Sequence, residues 1–226
     1  DMTWDLYWYD NNYALVDYLN TINSQVKDLQ VFHTIGNHDY DYKATSDLDA
    51  ETPFTQLIAP AYYSFNIGQV HYVVLDDIDC SNYDGTTSRD YLKRVSTDQL
   101  NWLARDLEHV DKSTPLVVIL HAQIFYPSQT EGFRIDHDAA NTQQLFNTLD
   151  GYRVHFVTGH THLNFNVTPE DDVTGGRELY EHNTGAICGS WWWSAHLTPG
   201  VHLSPDGTPG GYAIWDVEGK NLEWLY

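Results

Sequence analysis

Leu15, Leu19, Ile22, Val26 and Leu29 recur at intervals of three and four, which predicts an amphipathic helix from about Asn12 to Leu29. The apolar segment Val31-Phe32-His33-Thr34-Ile35 follows directly and reads as a strand that runs into Gly36-Asn37-His38-Asp39. Residues 40–60, with Pro53 and Pro60, read as a long excursion. The stretch "YYSFNIGQVHYVVLDD" predicts two strands around Gly68, the second strongly apolar before Asp76-Asp77. Ser96-Thr97-Asp98-Gln99 has the S-x-x-Q form of a capping box, and Leu100, Leu103, Leu107 and Val110 supply the stripe of the helix it opens. Pro115 starts the run Leu116-Val117-Val118-Ile119-Leu120, which ends at His121. A run apolar at every position suits a strand covered on both faces. Another helix is expected over about 138–149, closed by Gly151. Val154-His155-Phe156-Val157 is a further strand, ending in Thr158-Gly159-His160-Thr161-His162, and from about 163 short alternating strands and Gly/Pro turns follow.

Helices alternating with buried strands, then a mostly β tail, predict an α/β layered fold. At 226 residues, with 42% hydrophobic positions and no internal repeat, one domain spans 1–226 with ample core. No apolar run approaches the roughly 20 residues that cross a bilayer, and no targeting segment is read. A soluble chain is expected, with periplasmic or secreted location the reading of its acidic, aromatic-rich composition.

Charge narrows the partners. Thirty-two acids against 11 bases leave a formal net of −21, a field that repels a polyanion, so nucleic acid is excluded as a partner. A small anionic substrate requires local positive charge, and a metal centre is one source of it. Cys80 and Cys188 are too few for a thiolate metal site or a disulfide framework, and whether they pair is not readable. Twelve histidines direct the search for ligands elsewhere.

The polar residues that stand out follow strand ends three times: Asn37-His38-Asp39, His121, and His160 with His162. In α/β sheets that edge is where sites are built. Imidazole nitrogens and amide or carboxylate oxygens are ligands for divalent ions. Taken singly, His121 reads as a hydrogen-bonded rim residue and G-N-H-D as a turn. Together, in this order, they read as a metal site.

Gly36-Asn37-His38-Asp39, His121 after a buried strand, and Gly159-His160-Thr161-His162 resemble the calcineurin-like metallophosphoesterases, as do "STDQLNWLARDLEHV" and "PLVVILHAQIF". The resemblance spans nearly the whole chain. It implies an α-β-β-α sandwich and two divalent ions, of the manganese, iron or zinc kind, that share a bridging aspartate. By the resemblance Asn37, His121 and His160 ligate the second metal and His162 the first. His38 then serves the leaving oxygen or the phosphoryl transition state, and Asp39 orients its ring. Asp1 is assigned as the bridging ligand, with Asp5 and Asp10 near enough to compete.

The family's D-x-H motif is absent, because no histidine here has an aspartate two positions before it. The resemblance therefore implies that the first strand-helix-strand unit lies upstream of residue 1, in a segment that would be a partner together with further domains of the same protein. Without that segment one metal, or none, is expected. The activity implied is hydrolysis of a small-molecule, sugar or lipid phosphate ester. The rival is a non-catalytic binding or scaffold domain of the same fold, and a carbohydrate-binding module, resting on 16 tyrosines and eight tryptophans, ranks last. Trp191-Trp192-Trp193 reads as an aromatic wall for a leaving group or as packing against a missing segment, the second preferred. His182, Asn183 and His196 could touch substrate but read as structural.

Overall fold

The computed structural model of the protein describes residues 1–10, 12–26, 28–86, 89–130, 132–187 and 203–226. In chain order these form α1 (Asp5–Asp10), α2 (Leu15–Gln25), α3 (Asp47–Leu57), β1 (Tyr63–Ile67), β2 (Val70–Val74), β3 (Ile78–Asp79), β4 (Leu92–Lys93), α4 (Thr97–Leu107) and β5 (Leu116–Ala122). Then come β6 (Phe125–Ser128), β7 (Gly132–Ile135), α5 (Ala139–Thr148), β8 (Val154–Gly159), β9 (Phe165–Val167), a 3-10 turn at Asp172–Thr174, β10 (Leu179–Asn183), β11 (Ile214–Glu218) and β12 (Asn221–Leu225).

One six-stranded sheet, ordered β1-β2-β5-β8-β10-β9, organises the molecule. Its inner strands β2, β5, β8 and β10 are parallel, and the outer strands β1 and β9 are antiparallel to their neighbours. The continuous apolar run in β5 has the cause expected of it. Leu116, Val118 and Leu120 face a core closed by Leu100, Leu103 and Leu107 of α4 and by Leu145 and Phe146 of α5. Val117 and Ile119 face the other way, against Leu222 and Trp215 of the β11–β12 hairpin. Each fully buried Leu or Val contributes about 1.5–3 kcal/mol. Truncating Phe156, which has no exposure at all, to Ala would cost about 3–5 kcal/mol. The result is the layered α/β fold expected, with helices on one face of the sheet and a β-hairpin on the other.

Of the capping box, the Ser96 half forms: Ser96 accepts the Gln99 N–H at the start of α4, while the Gln99 side chain is bonded to the backbone of Asp76 instead of returning to Ser96. Asp138, a cap not read in the sequence, accepts the Asn141 N–H at the start of α5. Three expectations differ. The first helix is shorter than 12–29, ending at Gln25, with Leu29 largely exposed. Segment 40–60 is not simply an excursion: Ser46 caps α3 through its bonds with Asp49, and Pro53 sits inside that helix. Val31–Ile35 is not a ladder strand. Instead the Tyr63 hydroxyl takes the place of a neighbouring strand, accepting the His33 N–H at 3.0 Å and donating to the His33 carbonyl at 2.8 Å.

Cys80 is a buried free thiol; Cys188, the three tryptophans 191–193 and His196 lie outside the described residues. Among the described residues no helix is long and apolar enough to cross a membrane.

Candidate active site

Two parallel strands deliver the first histidines. The register of β5 against β8 shifts between Ile119 and Ala122, and the freed N–H groups of His121 and Ala122 are taken by the buried carboxylate of Asp77, at the end of the β2 segment. That irregularity re-aims His121 at the carboxyl edge of the sheet. Past the end of β8, His160 (φ 68°) and His162 (φ 59°) both take the left-handed conformation, with Thr161 between them. Non-glycine residues held there carry strain that surrounding bonds must sustain. Asn183 supplies them: its Nδ2 donates to Leu163 O at 2.6 Å and Thr161 Oγ1 at 3.1 Å, while the Thr158 hydroxyl is shared between Asn183 and Glu181. Asn183 is therefore a brace under the G-H-T-H turn.

The G-N-H-D turn closes onto the first residues of the chain. Asp39, fully buried, accepts N–H bonds from Gly36 (2.9 Å), Met2 (2.8 Å) and Thr3 (3.1 Å). Asp1 accepts the His38 N–H at 2.9 Å. The approach needs a glycine at 36, since a Cβ there would lie 2.4 Å from Asp1 Oδ1 and 2.8 Å from His121 Nδ1.

These elements bring donors to one place. Asn37 Oδ1 lies 2.9 Å from His121 Nε2 and 3.0 Å from His160 Nδ1, and the two ring nitrogens are 3.2 Å apart. Asp1 Oδ2 stands 3.4 Å from His121 Nε2. Both rings are held in the neutral form. Burial, then the positive charges around it, pushes His121 well below the ordinary histidine pKa, and burial with Lys93 brings His160 to about 4. Burial, followed by the charge of His38, also lowers His162. Of the three aspartates open to the bridging position, Asp1 is beside His121, Asp5 is elsewhere, and Asp10 is exposed at the end of α1.

The donor set fits a cation. Ligands about 2.0–2.1 Å from one ion in octahedral or tetrahedral arrangement stand roughly 3.0–3.4 Å apart, close to the spacings of these three atoms. Among the described residues no group of three or more His, Cys, Asp and Glu side chains is arranged as a metal cage; the gathering here is two imidazoles and an amide oxygen, with Asp1 at one side.

His38 is held differently from expectation. Its Nδ1 lies 2.7 Å from Oδ1 of Asp5, not against Asp39. The wholly buried Asp5 is in turn gripped by Arg89, with Nε at 2.7 Å from one carboxylate oxygen and Nη2 at 2.8 Å from the other. Asp39 is thus corrected from an orienter of His38 to a clamp on the loop backbone. Asp39 follows His38 directly in a tight turn, and its carboxylate points into the turn. Arg89 was missed, and Asp5 was read only as a competitor of Asp1 for the bridging position, not as the partner of His38. His38 remains at the site, near enough for its charge to act on His121, His160 and His162.

His182 belongs to another cluster. It stacks with His155 (Nε2 to Nδ1, 3.1 Å) on the far face of the sheet, beneath Trp215 and Trp224.

Known proteins bear on the chain as follows. The family model described as calcineurin-like phosphoesterase matches residues 3–164, and that described as the C terminal of calcineurin-like phosphoesterase matches residues 181–226. No curated protein matches. A solved structure titled "Structure of PhoD" aligns at 16% identity and a TM-score of 0.37, covering 56% of this chain and 29% of that one. The chain thus spans under a third of that protein's length, and the likeness is too slight to support an argument. With the family model covering well over half of the residues, the chain belongs to the calcineurin-like phosphoesterase family.

Proposed function

We propose that the protein is a metal-dependent phosphoric ester hydrolase that uses two divalent cations to cleave a phosphate mono- or diester of a small molecule, sugar or lipid. The observation that carries this reading is the approach of Asn37 Oδ1, His121 Nε2 and His160 Nδ1 to within 3.2 Å of one another. Family membership supports metal-dependent ester hydrolysis in general. When bound, such ions clamp a phosphate, polarise water and offset the charge of an in-line displacement at phosphorus.

The chain's own residues divide the remaining work. Asn37, His121 and His160 would hold the second ion, Asp1 would serve both, and His162 would serve the first. His38 gives a proton to the leaving oxygen. Its Nδ1 is engaged by Asp5, so Nε2 is the nitrogen left to face the ester. Arg89 offsets the Asp5 charge and, with Lys93, places positive charge beside the site in a chain of net −21.

The rival is a domain of this fold that binds but does not cleave. Turnover of a chromogenic phosphate monoester and diester by the manganese- or zinc-loaded protein decides between them. Turnover abolished in His38→Ala with metal content unchanged supports the hydrolase. Bound metal with no turnover supports the binding domain.

A further inference from the structure

The segment from Arg89 into β4 carries cationic and aromatic side chains at alternate positions, Arg89, Tyr91 and Lys93. Alternate residues of an extended chain share a face, and this face is the one turned to the site. Arg89 reaches Asp5, Tyr91 reaches His160, and Lys93 pairs with Asp136, while the intervening Leu92 is 40% exposed. The role of Arg89 follows from its grip on the carboxylate that holds His38. Tyr91 has none in the scheme above.

Tyr91 Oη lies 3.2 Å from His160 Nε2, and its ring meets the imidazole edge-on, with centroids 6.0 Å apart at 75°. The opposite nitrogen, Nδ1, is the one 3.0 Å from Asn37 Oδ1 and 3.2 Å from His121 Nε2. We propose that Tyr91 is a positioning residue for His160: its hydroxyl holds the ring with Nδ1 toward Asn37 and His121, and accepts a hydrogen bond from Nε2–H when Nδ1 lends its lone pair to a cation. The cation in that statement rests on the hydrolase reading; the locking of the ring does not.

Three considerations lead there. A neutral imidazole has one N–H and one lone pair, on different nitrogens. If Nδ1 is to donate its pair, the proton must sit on Nε2 and needs an acceptor. The Tyr91 oxygen is the only acceptor recorded at Nε2 among the described residues. A hydroxyl also serves each state with one tautomer, accepting from Nε2–H when a cation takes the Nδ1 lone pair and donating to a bare Nε2 when Nδ1–H is bonded to Asn37 Oδ1, so it holds the ring whether or not a cation is bound. Finally, His160 stands on a left-handed turn that Asn183 holds through Thr161 Oγ1 and Leu163 O, and Asn37 and His121 meet its ring at Nδ1 alone. A bond to the ring from another element completes the fixing. Partners of this kind, bound to the far nitrogen of a ligating histidine, set its orientation and basicity.

Tyr91→Phe removes the oxygen and keeps the ring-to-ring packing, so it separates the hydrogen bond from the fold. The metal-free protein, labelled with 15N at histidine, reports the two ring nitrogens of His160 by NMR. The wild type should show a single tautomer and the variant an averaged pair, with melting temperatures within a few degrees. A titration with zinc should give a Kd raised about 10- to 100-fold in Tyr91→Phe, with Nε2 protonated in the zinc-bound wild type. An averaged ring in the wild type, an unchanged single tautomer in the variant, or equal zinc affinity in both would overturn the proposal. A wild-type chain that takes up no zinc overturns the hydrolase reading, and the metal-free spectra then decide Tyr91 alone.

Discussion

Asp5 Oδ1 lies 2.7 Å from His38 Nδ1, joining residues 33 positions apart, whereas the adjacent Asp39 spends its carboxylate on backbone N–H groups. Two carboxylates near one histidine therefore have separate duties, and the difference is measurable. Asp5→Asn keeps the shape but loses the charge and the tautomer preference. It should lower turnover of a phosphate ester by at least about 100-fold with little change in bound metal. Asp39→Asn should instead show in thermal unfolding, as a loss of about 1–3 kcal/mol, because three N–H groups lose a charged acceptor.

Gly36 tests the closeness of the loop to the site. A methyl group there meets backbone and side-chain atoms of Asp1 at 2.5 and 2.4 Å and the His121 ring at 2.8 Å. Gly36→Ala should cost about 1–3 kcal/mol and weaken metal uptake together, since the same shift that relieves the clash moves Asp1 and His121 apart. Calorimetric unfolding and metal titration on one preparation check both.

Asn183 is buried and carries the strained turn on two donors. Asn183→Ala should destabilise the protein by about 1–3 kcal/mol and release His160 and His162 from their left-handed backbone. Hydrogen exchange at the Thr161 and Leu163 amides should rise well above that of the core of β8. Asn183→Asp offers two acceptors and no donor, and should fail in the same way.

The stacked pair His155 and His182 predicts a pH dependence of stability distinct from that of the site. Burial, and for His155 the charge of His182 next, lowers their pKa values to about 3 and about 4. The unfolded chain takes protons near pH 6.5 while the folded one refuses them, so this contribution is complete above about pH 6.5 and is lost as pH falls toward 4. Each imidazole adds a slope of about 1.4 kcal/mol per pH unit in that window. Glu181, raised to about 7 by burial, acts in the opposite sense and loses stability as pH rises from about 4.5 to 7. The comparison is therefore with His155→Gln/His182→Gln: between about pH 4.5 and 6.5 the slope of its stability against pH should lie below that of the wild type by up to about 2.8 kcal/mol per pH unit.

Much of this was legible in the residues, and what was not has physical reasons. The runs in β5 and β8 and the capped stripe of α4 were readable because burial on known faces leaves a periodic trace. Helix α3 was hidden because Pro53 is of the type that breaks most helix interiors. Val31–Ile35 has the composition of a strand, but composition does not say whether a neighbour offers a ladder, and here a tyrosine hydroxyl does so. That Asn37, His121 and His160 belong together was readable because ligand-type side chains at strand ends announce themselves. The pairing of Asp5 with His38, and the places of Arg89 and Tyr91, were not, because contacts across 33, 84 and 69 residues leave no spacing to read.

The claim beneath the rest is that Asn37, His121 and His160 form one cation site. Zinc or manganese bound per chain, measured by titration for the wild type and for His121→Ala, tests it most directly. We expect saturable binding by the wild type and a loss of at least one equivalent in the variant, with the fold retained by circular dichroism. Equal binding by the two proteins, or none by either, would contradict it.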